Sequence, residues 1–449
     1  MAVESQTIAA ISTAPGRGAV GIVRVSGTDA GQIVTCLAGL LPLPRVATLR
    51  TLRSAAGDLI DQGLCLFFPA PASYTGEDML ELQVHGGPAV LRELLNACCA
   101  AGARQARPGE FTERAFLNGK LDLLQAEAVA SLIESSSAQA ARAAARACAG
   151  DFSLAVQGIT QQIIELRVML EATIDFSDEI PAFSADGHTV KAFDNLRQDL
   201  QQLLQKAYAG ARLAAGVEVA ILGLPNTGKS TLLNRLCGED RAIVTPIAGT
   251  TRDVLSVDLD LDGVLFRLHD TAGLRETADP IEHEGVRRAR ARALTADLIV
   301  QVLSAEAAVL ADPPEISAAL ARGQPVLRVI NKLDLVNGTA RFIPSASGGE
   351  VWVSALLGQG IELLRAALLE AAGVVDSAEA PFTARARHVR ALEKTAEAIV
   401  EAEIQCRDGA IELVCEHLRL AHNTLEELTG VYTTEDLLGA IFATFCIGK

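Results

Sequence analysis

The chain has 449 residues, enough for about three domains. Hydrophobic residues are 49% and charged residues 21%, which supplies a sizeable core and excludes wholesale disorder. Fifty-five acidic residues against 39 basic give a net charge of -16, and aromatics are only 4%, so neither a general nucleic-acid binder nor an extended base-stacking platform fits.

The nine cysteines are scattered, and Cys415 and His417 do not repeat at zinc-ligand spacing. Such a chain reads as reduced and cytoplasmic. Met1–Ile11 carries no Lys or Arg ahead of an apolar run, so no signal or transit peptide is expected there. No apolar run approaches ~20 residues, so no membrane span is expected.

From Thr7 to Gly119 short β-rich runs alternate with Gly/Pro loops, an α+β pattern. Gly21–Gly27 and Leu64–Phe68 read as strands and Pro88–Ala101 as a helix. Gly16-Arg17-Gly18-Ala19-Val20-Gly21 matches GxGxxG, but between two strand-like runs, so it is rejected as a dinucleotide loop. Ser73–Asp78, His85–Gly87 and Pro108–Lys120 gather polar, charged and Gly residues in apolar surroundings, as a ligand pocket or an interface would.

From Lys120 the period becomes helical, with Leu121, Leu124, Ala128 and Leu132 on one face. Ala138–Ala149 is an Ala-rich helix, and Ile163, Leu166, Leu170 and Ile174 continue the pattern. Strands and helices alternate from Val217, and helix returns near Pro381 with Val389, Leu392, Ala396 and Ile399. The economical division is an α+β domain at 1–119, an all-α domain in two parts at 120–212 and 375–449, and an inserted α/β domain at 213–374.

The strand Val217–Leu222 runs into Gly223-Leu224-Pro225-Asn226-Thr227-Gly228-Lys229-Ser230, then into a helix from Thr231. This is GxxxxGK[ST] between strand and helix, a phosphate-binding loop. Its backbone N–H groups and the helix N-terminus face the phosphates. Lys229 neutralises them, and the Ser230 hydroxyl holds Mg²⁺. In the polar loop Ala248-Gly249-Thr250-Thr251-Arg252-Asp253, Thr251 is the threonine expected to close onto Mg²⁺. Asp262-Gly263 marks a hairpin. Asp270-Thr271-Ala272-Gly273 then follows a strand, as a Mg²⁺-linked acid and γ-phosphate sensor would.

Asn331-Lys332-Leu333-Asp334 follows the strand Val326–Ile330, and Ser354-Ala355 follows Val351–Val353. The Asp334 carboxylate suits the N1–H and N2–H₂ donors of guanine, a pair that adenine lacks. Motifs in this order at strand ends specify a Ras-like P-loop domain for a guanine nucleotide. Leu274 stands where Ras-type GTPases keep a water-orienting Gln. Asn226 offers an oxygen through which a monovalent cation would add positive charge. Glu282 is a second candidate, although from the residues alone it reads first as a solvated surface acid beside Glu276, Asp279 and Glu284. Arg287, Arg288, Arg290 and Arg292 read as a solvated helix face rather than a tRNA contact. Cys446 reads either as a reactive thiol or as a small core residue.

The N-terminal blocks, the nucleotide motifs and the terminal Cys446-Ile447-Gly448-Lys449 together resemble the MnmE (TrmE) family of tRNA modification GTPases over essentially the whole chain. The resemblance implies that the N-terminal domain is a folate-binding, dimerising fold. It implies a 5-formyl- or 5,10-methylene-tetrahydrofolate site at Arg24, Glu81 and Lys120, approached by Lys449. It also implies K⁺ held by Asn226, Thr245, Ile247 and Thr250, Mg²⁺ held by Ser230 and Thr251, and Glu282 orienting water. Thr245 would join the GTP site. The implied setting is a homodimer that pairs with the flavoprotein MnmG (GidA), in a heterotetramer or larger complex, to place an aminomethyl or carboxymethylaminomethyl group on the wobble uridine of certain tRNAs. A GTP-regulated ribosome or RNA assembly factor is the alternative.

Overall fold

The computed structural model describes residues 6–175, 187–224, 226–239, 256–270, 296–307, 314–336, 338–345, 348–373, 382–430 and 435–448. It divides into two compact units, Met1–Ala130 with Arg419–Lys449, and Ser131–Leu418. Among the described residues no helix is long and apolar enough to cross a membrane.

The first unit is built on a six-stranded sheet in the order β3-β4-β5-β2-β1-β6. Its strands are β1 Ile8–Ile11, β2 Gly18–Ser26, β3 Thr48–Arg53, β4 Leu59–Phe68, β5 Met79–Gly86 and β6 Arg104–Gln105. Gly18–Gly21 is part of β2, hydrogen-bonded to β5, so the GxGxxG match is strand and not a dinucleotide turn. Period-2 alternation decides which face each residue serves. Val23, Val25, Leu80 and Leu82 face the helices Ala30–Ala38 and Pro88–Ala100, whose Ile33, Val34, Leu91 and Leu94 complete that core. Arg24 and Glu81 therefore share the opposite face, directly across from each other in the β2–β5 register. Phe442 of the helix Glu435–Ala443 and Phe445 just beyond it pack against Leu123 and Ala126 in a second core. Beyond it the tail is stitched down, since Ser12 Oγ donates to the Gly448 carbonyl at 3.1 Å and the Gly109 N–H donates to the Cys446 carbonyl at 3.3 Å.

The polar blocks of the sequence meet here. Tyr74 and Thr112 hydroxyls hydrogen-bond at 2.9 Å, Arg114 reaches Glu77 at 2.9 Å, and Asn118 donates to the Thr75 carbonyl at 2.7 Å. Glu110, almost fully buried, takes Arg104 at 2.6 Å, Arg114 at 3.2 Å and the Arg107 N–H at 2.8 Å. Burial pushes its carboxyl upward, but the Arg104 hydrogen bonds, the Arg107 N–H and the Arg104 and Arg114 charges win and hold it at about 2 against an ordinary 4.5. A depressed carboxylate stabilises the fold above its unfolded value and loses that contribution as the pH falls through the folded one. Glu110→Gln is expected to cost about 3 kcal/mol at neutral pH. In urea unfolding, the gap between the two proteins should then close between pH 4.5 and about 2. A gap that stays constant through that window overturns the assignment.

The second unit carries a seven-stranded sheet in the order β12-β13-β11-β10-β7-β9-β8. Its strands are β7 Val217–Leu222, β8 Ser256–Leu261, β9 Val264–Asp270, β10 Leu298–Ser304, β11 Val326–Asn331, β12 Arg341–Ile343 and β13 Glu350–Trp352. Strands β9, β7, β10, β11 and β13 run parallel, and β8 and β12 close the edges antiparallel. The β8–β9 turn has Asp262 at φ 49° and Gly263 at φ 86°, the backbone that the Asp-Gly pair predicts. Gln139, in the helix Ala138–Ala149, donates to the Asp262 carbonyl at 2.7 Å, and Ala140 and Ala143 join the core of the sheet. The helical stretches on either side of the α/β segment also meet, the helix Gly187–Ala215 packing along Ala386–Arg407. Gly210 lies so close to the segment that leads into the second helix that a Cβ there would sit 2.4 Å from the Phe382 carbonyl oxygen.

Two helical expectations need correction. Leu132 is exposed (38%), because the helix Leu123–Glu134 buries Leu123, Leu124, Ala126 and Ala128 while its last turn leaves the core. Leu121 precedes the helix, which begins at Leu123, so it does not share the helical face with Leu124, Ala128 and Leu132.

Candidate functional site

In an open parallel sheet, ligands bind beyond the carboxyl ends of the strands where the strand order reverses. Here that point is the end of β7, which has β9 on one side and β10 on the other. The Gly223–Ser230 loop leaves β7 at this point and enters the helix Lys229–Glu239. Asn226 adopts φ 63° and Gly228 φ 89°, left-handed conformations that turn successive N–H groups into a concave cradle. Lys229 is buried, and its ammonium donates to the Gly223 and Leu224 carbonyls, each at 2.9 Å. That fixes a positive charge inside the cradle. Thr227 Oγ1 donates to the Leu224 carbonyl at 2.9 Å and closes the turn. Asn226, Ser230 and Thr231 are exposed along it.

The other motifs converge on the same end of the sheet. Asn331, buried at the end of β11, donates from Nδ2 to the Thr227 carbonyl at 2.9 Å. Its Oδ1 accepts the Ala355 N–H at 3.0 Å. One side chain thus ties the phosphate loop to the loop after β13. A Cβ on Gly228 would lie 2.4 Å from Asn331 Nδ2, so this glycine is required twice, by its φ and by the close approach. Lys332 takes φ 66°, which turns the chain into the short helix Leu333–Leu335. Asp334 then accepts a hydrogen bond on Oδ1 from the Ser354 hydroxyl. Asp270 ends β9 opposite Ile221 of β7, at the same sheet end, although its side chain lies outside the described residues.

Thr245, Ile247, Gly249, Thr250, Thr251, Thr271, Ala272, Gly273, Leu274, Glu282, the arginines Arg287, Arg288, Arg290 and Arg292, and Lys449 also lie outside the described residues. Ser230 and Asn226, the described members of the implied Mg²⁺ and K⁺ sets, are oxygen-bearing and exposed, which suits hard cations.

A second cavity, of about 380 Å³, lies in the N-terminal unit. Arg24 and Glu81 line it and pair at 2.8 Å, with the Arg24 guanidinium 5.7 Å from the centre of the Tyr74 ring. Arg45, Phe68 and Met79 also line it, beside Ala72, Ser73 and Val129. Arg45, which sits 5.7 Å over the Phe68 ring, was not apparent from the sequence, because it belongs to no polar block and reaches the wall through a left-handed residue at φ 61°. Lys120 does not line the cavity; its ammonium donates to the Pro71 carbonyl at 3.2 Å, one residue before the lining Ala72. His85 is exposed and pairs with Asp61 at 3.0 Å, away from this wall. Cys446 is exposed.

Residues 7–120 match the family described as the GTP-binding protein TrmE N-terminus, and residues 123–446 match the MnmE helical domain. The tRNA modification GTPase MnmE of Stutzerimonas stutzeri is 49% identical over 450 residues, covering 99% of each chain. That of Azoarcus sp. is 47% identical over 445 residues, covering 99% of this chain and 98% of its own. That of Nitrosomonas eutropha is 46% identical over 448 residues, covering 99% of both. With both its N-terminal and helical segments matched, and relatives this similar from end to end, the chain belongs to the MnmE family of tRNA modification GTPases.

Proposed function

We propose that this protein hydrolyses GTP at the carboxyl ends of β7, β9, β11 and β13 and that the hydrolysis serves tRNA modification. The observation that carries the reading is the convergence of a lysine-bearing phosphate loop and an Asp334–Ser354 base reader on one sheet end, joined through Asn331. Water attacks the γ-phosphorus, the bond to the β,γ-bridging oxygen breaks, and GDP and phosphate leave. Lys229 and the loop N–H groups hold the charge that moves onto the bridging oxygen. Ser230 and Thr251 would hold Mg²⁺, which draws charge from the β- and γ-oxygens when bound. Asn226, Thr245, Ile247 and Thr250 would hold K⁺. Glu282 would orient the water in place of the Gln that Leu274 displaces.

The finer reading places the chemistry at C5 of the wobble uridine, in the cytoplasm, with a homodimer of this chain joined by the flavoprotein MnmG. A tetrahydrofolate one-carbon donor would occupy the Arg24–Glu81 cavity, with Lys120 near it; the family resemblance adds an approach by Lys449, and Cys446 belongs to the same terminal segment. Two arginines, a carboxylate and two aromatic rings suit a flat heterocycle carrying anionic tails.

Nucleoside analysis of tRNA tests this. A deletion strain should lack the modified wobble uridines, and the intact gene should restore them. An Arg24→Ala copy should fail to restore them, while the purified variant still hydrolyses GTP and loses ~10-fold or more in formyl-tetrahydrofolate affinity. Unchanged wobble uridines in the deletion strain would exclude the reading. Restoration by the Arg24 variant would remove the folate part alone.

A further inference from the structure

The helix that follows the phosphate loop carries a side chain no nucleotide motif includes. Arg235 reaches across to the loop after β13, where Nε donates to the Ala355 carbonyl at 3.2 Å and Nη2 to the Leu356 carbonyl at 2.7 Å. The six-residue loop it grips is tight, because the Ser354 N–H donates to the Gln359 carbonyl and the Gly358 N–H to the Ser354 carbonyl, both at 2.9 Å. Gly358 has φ 77°, and a Cβ there would be 3.6 Å from the Arg235 guanidinium carbon. A cavity of about 360 Å³ opens between Thr231, Asn234 and Arg235 on the helix and Ala355 and Leu356 on the loop.

The carbonyl of Leu356 belongs to the same peptide unit as the N–H of Leu357, and a peptide unit is rigid. That N–H donates to Ser354 Oγ at 3.2 Å, and Ser354 Oγ in turn donates to Asp334 Oδ1. An unbroken chain of hydrogen bonds therefore runs from Arg235 through one peptide plane and one hydroxyl to the Asp334 carboxylate. The Leu357 N–H takes one of the hydroxyl's lone pairs, and the acceptor-only carboxylate draws its proton toward Asp334. Ala355 is buried in the core and held by Asn331, but Leu356 and Leu357 are 67% and 58% exposed, so their side chains do not fix the far part of the loop. There the forked guanidinium adds two donors on successive carbonyls.

We infer that Arg235 is a positioning residue for guanine specificity, orienting the Asp334 carboxylate through Leu356, Leu357 and Ser354. The inference rests on the reading of Asp334 as the base-recognising acid. It predicts more than weaker binding. Inosine nucleotides lack the N2 amino group, so they lose one of the two donors that Asp334 pairs with. If Arg235 aligns that carboxylate, its loss must erode the preference for GTP over ITP.

The test is steady-state hydrolysis by the full chain with GTP and with ITP. Arg235→Ala should raise KM for GTP about tenfold, leave kcat within about twofold, and lower the GTP-over-ITP ratio of kcat/KM about fivefold. Arg235→Lys, which keeps the charge but not the fork, should fall between Arg235→Ala and wild type. Ser354→Ala should lower the same ratio, and the double variant with Arg235→Ala should lose no more than either single one, because both act on one chain. A ratio unchanged in Arg235→Ala overturns the inference, whether KM is unaffected or rises equally for both nucleotides. Additive losses in the double variant overturn it too. Asp334→Asn separates this from failure of the underlying reading. If that variant inverts base preference while Arg235→Ala leaves the ratio alone, Asp334 stands and the role of Arg235 falls.

Discussion

GTP turnover by the full chain should rise about tenfold or more when NaCl is replaced by KCl at equal ionic strength, and Asn226 should carry the difference. The sequence places Leu274 where a water-orienting Gln would stand, so the site departs from the Ras-type device, and a monovalent cation would supply the transition-state charge that an arginine finger supplies elsewhere. Asn226 supports the cation route by geometry, being exposed on the cradle at φ 63°, in the loop that holds Lys229. That backbone also dictates how to test it. Alanine at φ 63° adds strain of about 1 kcal/mol or more, so a loss in Asn226→Ala alone would mix a bent loop with a missing oxygen. Asn226→Gly removes the oxygen and relaxes the backbone. Both variants should bind GTP and hydrolyse it equally slowly in the two salts. If the glycine variant keeps its KCl stimulation, Asn226 is not a cation ligand.

What the sequence made legible divides along a physical line. The phosphate loop, the Asp-Gly hairpin and the strands at Val217 and Val326 were readable because each is set by short-range demands: left-handed glycines, alternating burial, or a loop that must enter a helix. Asp334 and Ser354 could each be singled out, because base recognition requires an acceptor and a backing loop at strand ends, but the hydrogen bond between them could not. What escaped depends on contacts between distant segments. Ser73–Asp78 and Pro108–Lys120 stood out by composition, but nothing local says that Arg114 meets Glu77 or that Tyr74 meets Thr112. Arg235 escaped for the same reason, since its partners are backbone carbonyls about 120 positions away, and carbonyls leave no trace in a side-chain pattern. His85 leaves the ligand-cavity wall and keeps only the interface half of its sequence reading. Grouped with pocket-like residues by its Gly-rich setting, it pairs at the surface with Asp61, on the strand next to its own.

Asp334→Asn should turn the site from guanosine to xanthosine nucleotides, and the structure explains why the change should be an inversion rather than a simple loss. Guanine presents two donors to the carboxylate, whereas xanthine replaces the amino group at C2 with a carbonyl. An amide offers one acceptor and one donor, so the base it satisfies must offer one of each. The orientation of that amide is decided next door. The Ser354 hydroxyl donates to the acceptor-only carboxylate at Oδ1, and the Leu357 N–H at 3.2 Å takes one of its two lone pairs, which favours the same donation to residue 334 in the variant. In the variant the amide oxygen is held toward Ser354, and the NH₂ group is left facing the base. A donor set against guanine's own amino group leaves two donors unpaired, which on sites of this kind costs a hundredfold or more (about 3 kcal/mol). Competition binding of GTP against XTP measures it directly, with XTP expected to win by about that factor. Adding Ser354→Ala frees the amide to rotate and should narrow the margin. A variant that still prefers GTP would remove Asp334 from base recognition.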